Sequence, residues 1–274
     1  MRYLGVSRAE FYSPNRVTGD GAVFLSVCSA IERQGHSVIR ISESELVKSG
    51  LPAGIDGIFQ MARSREALAL LETAAVPVTN TVKAVRNCDR AAQTRILLDT
   101  GLIPDSIVCP TTAVPAGWNC YPCWVKRADS HAVRQDDVQF VGSAAECAAA
   151  IQGLAGRGIG ECVIQNHVKG WLVKFYGIKG YGLIDCHAAT LKESKFGQEQ
   201  YNDHPNLASV DLDALTAVAE RASGILGVDI YGGDAVVGQD GKITIIDFND
   251  WPSFRTCTQG AALRIAELIM SKNR

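Results

Sequence analysis

A strand–turn–strand pattern in the last third of the chain constrains the fold more than any other feature. Two apolar runs, residues 233–237 and 242–248, flank the sequence Gly-Gln-Asp-Gly at 238–241. An Asp-Gly pair between two such runs favours a β-hairpin, because glycine adopts the positive φ that tight turns require. The pattern therefore predicts an antiparallel sheet in this part of the chain.

The first 80 residues follow a different pattern, in which short apolar strands alternate with helices. Strands are predicted at 3–6, 37–41 and 55–59, and apolar residues at helical spacing predict helices at 22–34 and 66–73. Such alternation favours a parallel sheet covered by helices. This segment is therefore expected to form an α/β lobe.

The remaining residues show an α+β pattern. A helix with several basic residues is predicted at 81–100, a helix at 143–154 lies among strands, and another helix at 211–226 precedes the hairpin. The fold class expected is therefore a combination of α/β and α+β. Four segments are predicted: an N-terminal parallel α/β lobe at 1–80, a connecting helical segment at 81–115, a central lobe at 116–180 and a C-terminal antiparallel-sheet lobe at 181–274.

Composition narrows the class of protein. Of 274 residues, 47% are hydrophobic and 20% charged, and the formal net charge is −2. A chain this apolar buries enough surface to fold, whereas a nucleic-acid protein held by bulk charge would be strongly basic. No apolar run approaches the roughly 20 residues that span a bilayer, and no signal peptide is recognised. We expect a soluble cytoplasmic enzyme or binding protein without nucleic-acid or membrane partners; oligomerisation stays open.

The number and placement of the cysteines agree with the expected cytoplasmic location. Nine cysteines lie mostly in segments predicted to be buried, which favours reduced thiols. Cys120 and Cys123 form a C-x-x-C pair, but a four-ligand zinc site needs a second pair and none occurs at that spacing. A structural or incidental role is favoured for this pair, with a redox or metal role as the alternative.

Three polar residues in the predicted hairpin form a candidate metal site. Asp234 begins one strand, whereas Asp247 and Asn249 end its partner two positions apart and so face the same side. Oxygen ligands of this kind suit Mg²⁺ bound to nucleotide phosphates. The alternative is that Asp247 and Asn249 are turn residues that cap a strand end.

Two lysines stand in apolar strands. Lys126 follows an apolar run, and Lys174 lies inside residues 171–176. A buried lysine needs a partner or a ligand, and polyphosphate is a common ligand. Exposed lysines that protect an edge strand are the alternative.

In this order, these motifs resemble the ATP-grasp superfamily from about residue 77 onward. Val-Pro-Val-Thr-Asn at 76–80, followed by Asp89-Arg90, looks like the start of the superfamily's ATP-binding region, with Arg90 where lysine is usual. The resemblance implies an ATP-grasp architecture with a small central lid lobe, and ATP with one or two Mg²⁺ ions as cofactors. The implied metal ligands are Asp234, Asp247 and Asn249, and the implied nucleotide contacts are Arg90, Lys126, Gln165, Asn166, His167, Val168 and Lys174.

Two branches of the superfamily are locally similar. The runs at 126–131 and 163–177 resemble the inositol polyphosphate kinase branch, which has a histidine five residues after the lysine, here His131. Ribosomal-protein glutamate ligases tend to carry arginine at the position of Lys174. His131 is a candidate for contact with substrate or the γ-phosphate, and a loop histidine without a role is the alternative.

The chain also departs from both branches. Its loop at 128–135 has no glycine, so Ser130 and Arg134 are expected to contact phosphate through side chains. Where both branches usually supply an arginine near the acceptor, this chain has His187, Lys192 and Lys195. Arg255 is then the best anion clamp. The loops around Arg16 and Arg63 are candidate substrate contacts, with plain surface loops as the alternative.

The candidate catalytic residues are therefore Lys174, Arg255 and His131, in a reaction that begins with attack on the γ-phosphate of MgATP. The resemblance allows a ligase that joins a small carboxylate to an amine or thiol through an acyl phosphate, or a kinase for an inositol phosphate-like molecule. A non-catalytic ATP-binding sensor is a third alternative. The near-neutral charge matches a highly phosphorylated inositol poorly, so a ligase with a small-molecule substrate is favoured.

Overall fold

The computed structural model describes residues 1–12, 17–129, 132, 134–189, 201–203 and 210–272. Three four-stranded sheets organise these residues, one parallel and two antiparallel. The fold class expected from the sequence, α/β combined with α+β, is confirmed. Within the described ranges, no helix is both long and apolar enough to cross a membrane.

The N-terminal sheet is parallel, as the strand–helix alternation predicts. Its strands are β1 (Arg2–Ser7), β2 (Ser37–Ser42), β3 (Gly57–Gln60) and β4 (Val78–Thr79), in the order β2-β1-β3-β4. Three helices connect them: α1 (Val17–Arg33), α2 (Glu43–Ser49) and α3 (Arg65–Glu72). In an open parallel sheet, ligands bind beyond the carboxyl ends of the strands. Here Arg8, which follows β1, and Asn80, which follows β4, contact the C-terminal part of the chain.

The sequence predicts one helix at 81–100. This prediction is wrong in extent, because the chain forms two helices there. Helix α4 (Val82–Asn87) ends before Cys88, and α5 (Arg90–Leu97) begins after Asp89. Asp89 has an extended backbone, with φ −62° and ψ 134°, and this conformation interrupts the helical hydrogen bonds. The break places Arg90 at the first position of α5.

The central sheet is antiparallel, with the order β5-β8-β6-β7. Its strands are β5 (Ser106–Pro110), β6 (Cys123–Arg127), β7 (Val138–Val141) and β8 (Glu161–Asn166). Helix α6 (Ala144–Ala155) packs against the face that carries Cys123 and Val125. Because side chains alternate along a strand, Trp124 and Lys126 point to the opposite face.

The C-terminal sheet contains the hairpin expected from the Asp-Gly turn, which is confirmed. Strands β9 (Trp171–Ile178), β10 (Gly182–Ala188), β11 (Ile230–Val237) and β12 (Ile243–Asp250) lie in the order β10-β9-β11-β12, all antiparallel. Helix α7 (Leu212–Leu226) packs against the face formed by Phe175, Ala235 and Phe248. Lys174, Asp234 and Asp247 therefore lie on the other face.

The sheets divide the chain at other points than the four predicted segments. Strand β5, expected in the connecting segment, pairs with the central sheet, and β9, expected in the central lobe, pairs with the C-terminal sheet. Helix α8 (Thr258–Ser271) packs on α1 of the N-terminal lobe in one apolar cluster. Strand pairing over long stretches of sequence thus decides which sheet each strand joins.

Asn80 fastens the N-terminal lobe to the C-terminal sheet. Its Nδ2 donates to the carbonyl of Ile230 at 2.8 Å, and its Oδ1 accepts from the amides of Asp229 and Ile230, both at 2.9 Å. The side-chain Nε2 of Gln60 donates to the backbone carbonyl of Asn80 at 2.8 Å. All these groups are buried, so the contact holds the two lobes in one arrangement.

Candidate functional site

Four titratable side chains form one row across the C-terminal sheet. Asp247 pairs with Asp234, Asp234 pairs with Lys174, and Lys174 pairs with His187 in the strand register. The row lies on the face opposite α7, whose apolar contacts occupy the other side of the sheet. Because side chains alternate along each strand, the four side chains of the row point away from the apolar core between the sheet and α7.

Two of the three predicted metal ligands, Asp234 and Asp247, lie in this row, and the third, Asn249, contacts one of them. Lys174 Nζ lies 2.9 Å and 3.1 Å from the two carboxylate oxygens of Asp234. Asn249 Nδ2 donates to Asp247 Oδ2 at 2.9 Å. Two carboxylates and an amide are an oxygen donor set that fits Mg²⁺, which takes few protein ligands and completes its shell with phosphate and water. Among the described residues, no cluster of three or more His, Cys, Asp or Glu side chains suits a metal.

Lys126 reaches this row from the central sheet. Its Nζ donates to Gln165 Oε1 at 2.6 Å and to the Ile246 carbonyl at 3.0 Å. Ile246 is the residue skipped where the register of the hairpin shifts, so a bulge in β12 supplies the acceptor. Burial, followed by the charge of Arg90, lowers the pKa of Lys126 to about 8, against the opposing effect of Asp247 and Asp234.

Arg90 lies beside the same group of charges. Arg90 is half-buried, and its Nη1 donates to the Arg127 carbonyl at 2.8 Å. Burial lowers the pKa of Arg90, and the nearby Asp247 carboxylate acts in the opposite direction. We call Arg90, Lys126, Lys174, Asp234, Asp247 and Asn249 the inter-sheet site.

The predicted adenine segment follows the end of β8. Gln165 is buried and its side chain contacts Lys126, whereas the amide nitrogens of Asn166 and His167 donate to the carbonyls of Asp105 at 2.8 Å and Pro122 at 3.3 Å. Burial lowers the pKa of His167, which favours the neutral ring. The carbonyl of Val168 accepts from Asn202 Nδ2 at 3.5 Å. The segment therefore belongs to the edge of the inter-sheet site, next to Lys126.

An aromatic cluster beside this segment was missed from the sequence. The rings of Phe140 and Tyr201 stack with centroids 4.2 Å apart, and the Trp124 ring meets Phe140 edge-on at 5.1 Å. Trp124 Nε1 also donates to His167 Nδ1 at 3.2 Å. The position of Trp124 two residues before Lys126 was the available signal, because it predicts that both side chains share one face.

A second concave region lies at the carboxyl ends of β1 and β3. Arg8 donates to Asp20 Oδ2 at 3.2 Å, to the Met61 carbonyl at 3.2 Å and to the Trp251 carbonyl at 3.4 Å. The adjacent cavity has a volume of about 360 Å³. Its lining includes Ser7, Arg8, Glu10, Asp20, Ser42 and Met61. This crevice carries charges of both signs.

Arg63, which the sequence associates with either substrate or a plain surface loop, is in an interior ion pair. Its guanidinium contacts the Asp250 carboxylate, and the side chains are 9% and 0% exposed. The buried Glu43 carboxylate accepts from the backbone amides of Ala9, Arg63 and Ser64. The surface-loop alternative is therefore wrong for Arg63, whose side chain is buried against Asp250.

The other residues singled out in the sequence do not lie together in one place among the described residues. Arg255 is exposed, and its chain runs along the first turns of α1, where a Cβ on Gly19 would lie 3.6 Å from Arg255 Cγ. Arg134 is exposed and pairs with Asp136 at 3.2 Å. Cys123 packs in the core under α6, and Cys120 is half-buried. Arg16, Ser130, His131, Lys192 and Lys195 lie outside the described residues.

A histidine–carboxylate pair on β10 was not recognised as a unit. His187 Nδ1 lies 2.8 Å from Asp185 Oδ2, and Thr256 Oγ1 donates to the same oxygen at 2.5 Å. The His187 and Tyr176 rings are 5.4 Å apart. The signal in the sequence was the spacing of two, which places both side chains on one face of a strand.

Solved structures of similar fold include two kinds of ligase or synthetase and an ATP-grasp protein. D-alanine–D-alanine ligase from Bacillus anthracis, complexed with ATP, has a TM-score of 0.72 and 14% identity, with coverage of 100% of this chain and 97% of that chain. A RimK domain ATP-grasp protein from Sphaerobacter thermophilus has a TM-score of 0.66 and 20% identity, with coverage of 98% and 100%. D-cycloserine synthetase DcsG has a TM-score of 0.70 and 14% identity, with full coverage of both chains.

No family model matches the sequence, and no curated protein matches it at a significant level. The similarity is therefore one of fold. Because the coverage is 100% of this chain, it includes all three sheets. The chain has the ATP-grasp fold, and the resemblance inferred from its motifs is confirmed at that level.

Proposed function

We propose that this chain is a MgATP-dependent ligase that joins a small carboxylic acid to an amine through an acyl phosphate. The observation that carries the proposal is the inter-sheet site, where two lysines from opposite sheets adjoin two aspartates and an asparagine. Cations that neutralise phosphates beside oxygen ligands for Mg²⁺ are what phosphoryl transfer requires, because it depends on positioning and charge stabilisation.

Different residues would bind the phosphates of the nucleotide and its metal ions. Lys126, Lys174 and Arg90 would neutralise phosphate oxygens, and Asp234, Asp247 and Asn249 would hold one or two Mg²⁺ ions. When bound, MgATP supplies the phosphoryl group that activates the carboxylate. The pKa of Lys126, near 8 without a phosphate partner, would rise when an anion binds, so ligand binding restores the full charge.

The crevice of the N-terminal lobe is the proposed site for the acid. It lies where ligands of parallel sheets bind, and Arg8 contacts the carbonyl of Trp251, just beyond the end of β12. Arg8, Glu10 and Asp20 give the crevice both positive and negative groups. A small zwitterion, such as an amino acid, matches this mixture better than a polyanion does.

The ligase is preferred over the two alternatives. The solved structures of similar fold named above include D-alanine–D-alanine ligase and D-cycloserine synthetase, and none of the three supports the kinase alternative. A sensor without turnover is less consistent with a row that keeps both carboxylates and the lysine.

The proposal is tested by the chemistry of the activated acid. The protein is incubated with MgATP, hydroxylamine and pools of amino acids and other small carboxylic acids, and both ADP and hydroxamate are measured. Hydroxylamine traps acyl phosphates, so a ligase gives hydroxamate and ADP in equal amounts with one class of acid. ADP release that requires a polyol, or no turnover with any pool despite tight ATP binding, would contradict the ligase.

A further inference from the structure

The edge strand β10 carries a hydrogen-bonded chain of three side chains on the polar face of the sheet. Thr256 Oγ1 donates to Asp185 Oδ2, and the same carboxylate oxygen lies 2.8 Å from His187 Nδ1. The His187 and Asp185 side chains are 16% and 25% exposed, so they are shielded from most, but not all, solvent. This chain of contacts fixes the orientation of the imidazole ring.

The carboxylate also determines where the ring carries its proton. An ionised carboxylate only accepts hydrogen bonds, and its Oδ2 already accepts one from Thr256, so Nδ1 of His187 must be the donor. In the neutral ring, the lone pair that can take up a proton then lies on Nε2. Asp185 therefore holds the tautomer that a general base requires.

The place of His187 in the sheet connects it to the phosphate-binding residues. In the strand register the row reads Asp247, Asp234, Lys174, His187. With strands about 4.8 Å apart, the backbone of His187 lies roughly 10 Å from that of Asp234. An acyl phosphate whose phosphate adjoins Lys174 and the metal ligands would thus have its carbonyl carbon in the neighbourhood of His187.

We propose that His187 is the general base that removes the proton from the attacking amine, and that Asp185 is its positioning residue. The inference rests on the proposed ligase function and adds the step after acyl phosphate formation. The amine nitrogen forms a bond to the carbonyl carbon, and the bond from that carbon to the phosphate oxygen breaks. Nε2 of His187 takes the proton that converts the ammonium group into a neutral amine and passes it to solvent. The second proton, which nitrogen loses after the new bond forms, leaves with the departing phosphate.

Among the described residues, Lys174 and Tyr176 lie beside His187 on β9, and Asp185 lies beside it on β10. Cys257, in the segment after β12, is near the Asp185 carboxylate; burial and this charge raise the pKa of its thiol to about 11. Lys174 is paired with Asp234. The Asp185 carboxylate, hydrogen-bonded to the ring, stabilises the imidazolium that forms when the proton is taken up.

The test compares two nucleophiles on the same enzyme. Hydroxylamine is unprotonated near neutral pH and attacks an acyl phosphate without a base, whereas an ordinary amine is mostly protonated and needs one. With the acid found in the hydroxamate screen and an amine taken from a pool that the wild type accepts, His187→Gln should lower the rate of amide formation on the order of 10²–10⁴-fold. Hydroxamate formation by the same variant should stay within about threefold of wild type, because this step bypasses the base.

Two further variants separate catalysis from structure. In His187→Ala, added imidazole should restore part of the amide-forming rate, which a purely structural role would not allow. Asp185→Asn should lower kcat for amide formation on the order of tenfold with little change in KM for the amine, because an amide can no longer hold the tautomer. His36→Gln removes a histidine of the N-terminal lobe and serves as the matched control with wild-type rates.

The outcomes distinguish this inference from the proposed function. Equal losses of amide and hydroxamate in His187→Gln, or no rescue by imidazole, would overturn the role of His187 while leaving the ligase intact. A wild-type protein that forms hydroxamate but accepts no amine would also overturn it. The absence of hydroxamate in the wild type with every acid would remove the ligase function itself.

Discussion

The two sheets of the inter-sheet site hold their lysines in different surroundings. Lys126 of the central sheet is 7% exposed, donates to an amide oxygen and a backbone carbonyl, and has a pKa lowered to about 8, chiefly by burial. Lys174 of the C-terminal sheet makes a direct ion pair with Asp234 and keeps 19% of its side chain exposed. One sheet supplies a cation with neutral partners, and the other supplies a cation already matched to a carboxylate.

This difference has a consequence for ligand binding. A buried ammonium group without a contacting carboxylate is costly, and an incoming phosphate lowers that cost. The ammonium group of Lys174 is already paired with Asp234, so a phosphate that binds Lys174 competes with this carboxylate. A divalent ion bound at Asp234 would compensate for the weakened ion pair. We therefore expect Lys126 to respond to the nucleotide phosphate alone and Lys174 to respond to phosphate and metal together.

The largest effect is expected from the carboxylates of the C-terminal sheet. Asp247→Asn removes a charge that the proposed metal site needs, so the rate of MgATP-dependent ADP release should fall on the order of 10³-fold. Asp240→Asn, in the exposed turn of the same hairpin, is the matched control and should keep the wild-type rate. A full rate in Asp247→Asn would show that the metal ligands lie elsewhere.

Replacement of each lysine by methionine tests the contrast between the sheets. Both Lys126→Met and Lys174→Met should weaken ATP binding by about 10- to 100-fold, measured by calorimetry. Only the affinity of Lys174→Met should depend abnormally on magnesium, because its Asp234 loses a partner. Lys83→Met, on the exposed surface of α4, controls for loss of a positive charge. Identical magnesium dependence in the two variants would contradict the contrast.

The pH dependence of stability tests the surroundings of Lys126 without any ligand. Its pKa is about 8 in the folded protein and near 10.5 in the unfolded chain, so the unfolded state binds more protons between these values. The free energy of unfolding should therefore gain a contribution of up to about 3 kcal/mol as pH rises from 8 to 10.5. Denaturation of wild type and Lys126→Met at several pH values measures it, with Lys83→Met as the control.

If Lys126→Met retains the wild-type slope between these pH values, burial does not lower the pKa of Lys126 in the folded protein. The contrast between the two sheets would then be wrong, although both lysines could still bind phosphate.

The smallest effect is expected when Lys126 is given a carboxylate partner, as Lys174 has in Asp234. Gln165→Glu places a carboxylate 2.6 Å from Nζ, which should raise the pKa of Lys126 and reduce the pH-dependent gain in stability. ATP affinity should fall by about three- to tenfold, because the carboxylate competes with phosphate. Gln139→Glu on β7 is a control for the added charge. An unchanged pH profile would indicate that Gln165 does not determine the state of Lys126.

Local patterns in the sequence predicted the parts of the site that depend on strand alternation. The Asp-Gly turn fixed the pairing of β11 with β12, and spacing by two placed Asp247 and Asn249 on one face. A lysine within an apolar strand was also informative, because Lys126 and Lys174 both proved to be in the inter-sheet site.

Contacts between distant parts of the chain could not be predicted in this way. The acceptor that Ile246 offers to Lys126 depends on a bulge in β12, and the pair of Arg63 with Asp250 joins residues from two lobes. The pairing of β9 with β11 also spans a long stretch of sequence, and no local signal assigns β9 to one sheet or the other. His187 was noted only as a residue in place of an arginine; its partner Asp185 lies two positions away, but Thr256, which donates to Asp185, comes from far along the chain.

The contact around Asn80 and the packing of α8 on α1 have a mechanical consequence. Both join the N-terminal lobe to the C-terminal sheet, and the stacking of Phe59 on Trp251 with ring centroids 6.2 Å apart adds a third connection. These contacts therefore hold two of the three lobes in one arrangement. Lys126 comes from the third, so any change in the distance between the central sheet and these two lobes would alter the contact of Lys126 Nζ with the Ile246 carbonyl.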